Sequence, residues 1–158
     1  MGIPDIPFFA ASAIVTTMAL SSVTAMELNA SDYGVHPGGK DCGAAVRLLI
    51  NDARAKGASR INFAPGEYHF HRSSAQPMQM FISNHDQHNP KLVAVALEGA
   101  KNLTLKCTEG GQADFYMNGR MLPVAMVDCE NCRLESIGID TRVPQITQVE
   151  IVENDSEN

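Results

Sequence analysis

The chain has 158 residues, 44% hydrophobic and 19% charged, with a net charge of −6 and no tryptophan. That hydrophobic share excludes a largely disordered chain, and the acidic surplus argues against a nucleic-acid binder led by phosphate contacts. Four cysteines are too few for a disulfide-stapled miniprotein, and the lack of Trp weakens a sugar-binding module built on Trp stacking.

The first element is an apolar run from Phe8 to Leu20, diluted by Ser12, Thr16 and Thr17 and followed by Val23-Thr24-Ala25. Small residues at that spacing mark an export signal cleaved after Ala25, so residues 1–25 are expected to lead the chain to the periplasm or the exterior. The pattern departs from the usual one before the run, where Asp5 stands and the first basic residue is Lys40. The run is too short and too polar to span a bilayer comfortably, and no second one follows, so no stable membrane span is expected.

Ser31 to Val35 reads as a short strand, and His36-Pro37-Gly38-Gly39-Lys40 as a turn. Asp41 is a suitable N-cap. From it Ala45, Val46, Leu49, Ile50 and Ala53 recur at helical spacing, with Leu48 broadening the stripe. Arg54 and Lys56 suit the helix C-terminus, and Gly57 is the stop, so a helix is expected over Asp41–Lys56 and no other is obvious. Ile61 and Phe63, then Tyr68 and Phe70, alternate with polar neighbours across the corner Pro65-Gly66, which predicts two half-buried strands.

Ser83 to Lys91 carry no apolar side chain, between the strand-like Phe81-Ile82 and Leu92 to Leu97. A polar insert of this length between strands is the best candidate for a functional loop. Further on, the surroundings of Asn102 and Asn131, 29 residues apart, resemble each other as apolar strand, polar turn with Asn, apolar strand. Strand-only units at such a period predict a solenoid, in which stacked turns can place one Asn above another in left-handed geometry. Gln145 to Val152 alternates like a strand. The expected fold is all-β: the first coils of a right-handed parallel β-helix over residues 26–158, capped at its N-terminal end by the helix, with more coils expected beyond Asn158.

Several stretches carry a family resemblance. Asp32-Tyr33-Gly34, the helix, and Ile61 to Phe70 look like the start of the pectate-lyase-like right-handed β-helix superfamily. Ile82-Ser83-Asn84-His85-Asp86-Gln87, Asn89-Pro90-Lys91, Gly119-Arg120-Met121-Leu122-Pro123 and Ser136-Ile137-Gly138-Ile139-Asp140 resemble glycoside hydrolase family 110, the α-1,3-galactosidases. The resemblance implies exo-acting removal of terminal α-1,3-linked galactose, including that of blood-group-B-type glycans, with inversion and without metal or other cofactor. It implies a carbohydrate partner and puts the catalytic residues beyond Asn158. His88 and Asn118 depart from the family pattern, where an acidic residue and a His are expected.

Inverting hydrolysis needs two carboxyl groups roughly 6.5–9.5 Å apart, one protonated and one ionised. Asp86, Asp114, Asp128 and Asp140 are available, but sequence shows no two of them converging. Asp128, with Glu130, reads as a turn residue, and Asp140 ends a strand. Asn84, His85, Asp86, Gln87 and Arg120 are the candidate sugar-binding residues, as side chains that can hydrogen-bond hydroxyls. A metal reading of His85 and His88 lacks any spacing check. His69 and His71 read as an exposed strand face. Cys129-x-x-Cys132 has no second pair for zinc, since only the isolated Cys42 and Cys107 remain, and no helix for a thioredoxin-like motif, so these read as cysteines buried within coils, with a disulfide open in an exported chain. Asn29, Asn102 and Asn154 match glycosylation sequons, discounted because Asn102 belongs to the proposed ladder. A polysaccharide lyase and a non-catalytic glycan-binding β-helix are the competing functions.

Overall fold

Alternating apolar and polar side chains shape most of this chain, and the computed structural model describes residues 25–82, 89–108 and 110–143. In order come β1 (Glu27–Asn29), a 3-10 turn (Ala30–Tyr33), β2 (Gly38–Asp41), α1 (Gly43–Lys56), β3 (Arg60–Phe63), β4 (Gly66–His71), β5 (Gln76–Met78) and β6 (Lys91–Glu98). They are followed by β7 (Thr104–Cys107), β8 (Ala113–Asn118), β9 (Leu122–Val127), β10 (Arg133–Glu135) and β11 (Ile137–Thr141). Three sheets result, with strand orders β1-β3-β7-β10, β2-β4-β8-β11 and β5-β6-β9. The pairings are parallel except for β5 with β6, which is antiparallel.

The chain visits these sheets in rotation, first to second to third and back. In the first circuit α1 stands between β2 and β3, where the later circuits place strands of the third sheet, and it packs on β6 and the 3-10 turn. Because successive strands pair in parallel, like residues meet like. Leu28 lies beside Ile61, Ile61 beside Leu105 and Leu105 beside Leu134 in the first sheet. Tyr68 lies beside Phe115 and Phe115 beside Ile139 in the second.

The inward side chains close into one core. Phe115 is its hub, with ring centroids 5.3 Å from Phe63, 5.8 Å from Tyr68 and 5.1 Å from Phe70. Fully burying each such side chain stabilises by about 1.5–3 kcal/mol relative to leaving it in water. The Tyr68 hydroxyl donates to the Ala64 carbonyl at 2.8 Å, which satisfies the only polar atom of that buried ring. Burial pushes its phenol up to about 12. The helix contributes Val46, Leu49, Ile50 and Ala53, as its periodicity predicts. Its end is a Gly57 cap with φ 65°, where the Gly57 and Ala58 amides reach back to the Arg54 and Ala53 carbonyls.

Five local expectations change, one of them at His36 to Lys40, where Gly38–Asp41 forms β2 in place of most of the expected turn. Ser31 to Val35 is not a strand: Ala30–Tyr33 forms a 3-10 turn, closed by Gly34 at φ 75° and by Val35 N–H donating to Ala30 O at 3.0 Å. Burying Ala30 and Val35 at the two ends of this turn outweighs the brief alternation, and the strand lies earlier, at Glu27–Asn29. Asp41 ends β2 and is not the N-cap, which is Cys42; its carboxylate still accepts Gly43 N–H at 3.0 Å, together with the Ser74 hydroxyl at 2.8 Å. Leu48 is 65% exposed, because the stripe needs only the 46-49-50-53 face. Phe81-Ile82 follows β5 without strand pairing, and Phe81 is 76% exposed. The segments 1–24, 83–88 and 144–158, which hold the leader, most of the polar insert and the last predicted strand, lie outside the described residues. Among the described residues no helix is long and apolar enough to cross a membrane.

Candidate functional site

The second sheet turns its chemistry outward. With Tyr68 and Phe70 committed to the core, strand alternation sends Glu67, His69 and His71 to the other face of β4. The same rule sends Asp114, Tyr116 and Asn118 outward from β8. The parallel register then aligns them in ranks: Glu67, Asp114 and Gly138; His69, Tyr116 and Asp140; His71 and Asn118.

Side-chain contacts knit these ranks together. The His69 and Tyr116 rings stack with centroids 5.7 Å apart and planes 20° apart. Arg142, just past β11, sets its guanidinium 4.2 Å from the Tyr116 ring centroid and pairs with the Glu67 carboxylate. His69 Nε2 lies 3.6 Å from Glu67 Oε2, and Asn118 Nδ2 lies 3.3 Å from His69 Nδ1. Gln112 Nε2 donates to Asp114 Oδ1 at 2.5 Å, and the two side chains lie over Gly138, where a Cβ would collide with both. Carboxylate acceptors together with amide and guanidinium donors on one face are groups that bind sugar hydroxyls.

Two of the four sequence-predicted carboxylates lie on this face. Asp114 and Asp140 sit on neighbouring strands, one rank apart, which puts their Cα atoms roughly 8 Å from each other by ordinary strand geometry. Asp140 Oδ1 accepts the Thr141 amide at 2.7 Å. Asp128 is elsewhere, exposed in the β9–β10 turn at φ 52°, beside Glu130, whose carboxylate lies 3.3 Å from Lys101 Nζ. Asp86, with Asn84, His85, Gln87 and His88, lies outside the described residues. Where that polar segment leaves and rejoins the described chain, Met80 N–H donates to Asn89 Oδ1 at 3.3 Å. Arg120 is exposed in the β8–β9 turn, off the ranked face, and its carbonyl accepts Arg72 Nη1 at 3.2 Å. Among the described residues no group of three or more His, Cys, Asp or Glu side chains is placed to hold a metal ion.

Sequence reasoning missed Glu67, Tyr116, Asn118 and Arg142. The signal was present in Glu67-Tyr68-His69-Phe70-His71 and Asp114-Phe115-Tyr116-Met117-Asn118, two alternating stretches whose outward positions are all polar or Tyr. It needed the pairing of β4 with β8 to become a site. None of the four cysteines is in a disulfide; Cys42 and Cys107 are buried, whereas Cys129 and Cys132, expected to be buried within coils, are only half-buried.

No known family model matches the chain. Individual proteins do. A protein named alpha-1,3-galactosidase B from Bacteroides fragilis is 37% identical over 156 residues, covering 93% of this chain and 25% of that protein. One of the same name from Phocaeicola vulgatus is 48% identical over 98 residues, covering 62% of this chain and 16% of its own length. A third of that name, from Parabacteroides distasonis, is 38% identical over 133 residues, covering 81% of this chain and 21% of that protein. The chain thus spans about a quarter or less of the curated relatives it matches. The resemblance read from the sequence therefore pointed to the right relatives: the chain is a homologue of the α-1,3-galactosidases of glycoside hydrolase family 110.

Proposed function

We propose that this chain is part of an exo-acting α-galactosidase that removes terminal α-1,3-linked galactose, including that of blood-group-B-type glycans, with inversion. The observation that carries the reading is the 37% identity over 93% of the chain to a protein named for that activity. On this reading the three sheets, visited in rotation, are the first coils of a right-handed parallel β-helix, capped by α1. The parallel registers and the return of the chain to each sheet in turn support it.

The reading gives the outward face of the second sheet a binding role. Glu67, Asp114 and Asp140 accept hydrogen bonds from sugar hydroxyls, and Asn118 and Arg142 donate them. Asn84, His85, Asp86, Gln87 and Arg120 add contacts from the polar insert and the β8–β9 turn. The acid and base of hydrolysis belong, on the same reading, to the three quarters of the relatives that this chain does not match. Export after cleavage behind Ala25 would bring the enzyme to glycans outside the cytoplasm.

The test is an exchange. The stretch of the Bacteroides fragilis relative matched by residues 26–158 is replaced with those residues, and the chimaera is assayed with p-nitrophenyl α-galactoside and a B-type trisaccharide. Release of galactose from both is expected. A chimaera that folds, shown by circular dichroism and cooperative melting, yet hydrolyses neither would remove the reading.

A further inference from the structure

The Cys129-x-x-Cys132 turn has no part in the proposed hydrolysis. It joins β9 to β10, with Asp128 at φ 52° on one side of Cys129 and Asn131 at φ 52° before Cys132. The two thiols lie on the same side of this turn. Cys129 Sγ donates to Leu97 O at 3.1 Å and Cys132 Sγ to Ala100 O at 3.3 Å, so thiols three residues apart meet carbonyls three residues apart in the preceding circuit. Both side chains are packed against the core but only half-buried, which leaves them open to a small molecule. Cys42 and Cys107 are 4% and 2% exposed and belong to other elements.

We propose that Cys129 and Cys132 form a dithiol pair that closes to an intrachain disulfide with a small-molecule disulfide as oxidant, while Cys42 and Cys107 remain thiols. One protein thiolate attacks a sulfur of the oxidant, breaking its S–S bond and releasing one small thiol. The second protein thiolate then attacks the mixed disulfide at the protein sulfur and expels the other small thiol. Two protein thiols are oxidised, one small disulfide is reduced, and the two protons from the protein end on the two released thiols.

The surrounding backbone tolerates this closure. Losing the two S–H donors leaves Gly99 N–H on Val127 O at 2.8 Å, Asn102 N–H on Glu130 O at 2.8 Å and Glu130 N–H on Ala100 O at 3.0 Å, so the turn stays registered on the circuit before it. Burial pushes the Cys132 thiol up, so closure runs faster as pH rises. An oxidising compartment would favour the closed form. None of this depends on the galactosidase reading.

The full chain, reduced and then freed of reductant, is incubated with oxidised glutathione, alkylated and mapped by mass spectrometry. The peptide holding Cys129 and Cys132 should lose two hydrogens and all alkylation, with Cys42 and Cys107 alkylated only after unfolding. Cys132→Ser should instead keep glutathione at Cys129, which shows that the second thiol resolves the first. Stable glutathione on both Cys129 and Cys132, free thiols at both after prolonged oxidation at alkaline pH, or a bridge to Cys42 or Cys107 would each overturn the proposal.

Discussion

Asn131 donates its side-chain amide to the side-chain carbonyl of Asn102 at 2.8 Å, although the two stand 29 residues apart. Both hold left-handed backbone, at φ 52° and 53°, which few residues other than Gly and Asn adopt cheaply. The strands before and after them keep the same offset, with Val93 beside Leu122 and Thr104 beside Arg133. The ladder thus marks one circuit stacked squarely on the next.

Two substitutions separate its hydrogen bond from its backbone. Asn131→Gly keeps the left-handed conformation and loses the bond, so it should cost about 1 kcal/mol. Asn131→Ala loses both and should cost about 2 kcal/mol. Urea unfolding of both variants measures the difference; equal values would mean that the backbone conformation carries none of the cost.

Phe115→Ala should cost about 3–5 kcal/mol, since truncation of a buried aromatic removes its transfer energy and leaves a cavity. Its contacts with Phe63, Tyr68 and Phe70 mean that three rings lose a neighbour at once. Chemical denaturation reads this directly.

Gly138→Ala probes the outward face without touching the core. The added methyl overlaps Asp114 Oδ1 and Gln112 Nε2, both flexible side-chain ends that can swing away. Stability should change by no more than about 0.5 kcal/mol. In the chimaera, KM for the trisaccharide should rise several-fold with kcat little changed if Asp114 binds sugar as proposed, because its carboxylate is displaced.

The acid limb of stability has a local source on the helix. Asp52 accepts from Lys56 Nζ at 2.6 Å and from the Tyr33 hydroxyl, and these bonds hold its carboxyl below the usual range. A depressed carboxylate stabilises the fold above its ordinary pKa, and that contribution is lost as pH falls through the lowered one. The bond to Asp52 raises both Lys56 and Tyr33, whose contributions hold below their ordinary values and are lost at alkaline pH. Asp52→Asn should therefore lower Tm slightly at neutral pH, less so in high salt, and the gap from wild type should close in strong acid.

The fold was legible where burial and period agree. The 46-49-50-53 stripe announces α1, and Ile61, Phe63, Tyr68 and Phe70 announce β3 and β4. The Asn102–Asn131 spacing announced a contact because stacked parallel strands bring equivalent positions together. The first turn was misread because two buried residues, Ala30 and Val35, decide its shape and the four between them say little. The outward face was hardest to see. Glu67 and Arg142 are 75 residues apart and meet only through the β4–β8–β11 register, which no local pattern encodes.

The proposed activity is tested most directly by proton NMR of the B-type trisaccharide during cleavage by the chimaera that carries residues 26–158. The account predicts that free galactose appears first as its β-anomer and mutarotates only later, since a single displacement by water inverts an α-linkage. Galactose appearing first as the α-anomer, or no galactose from a folded chimaera, would contradict it.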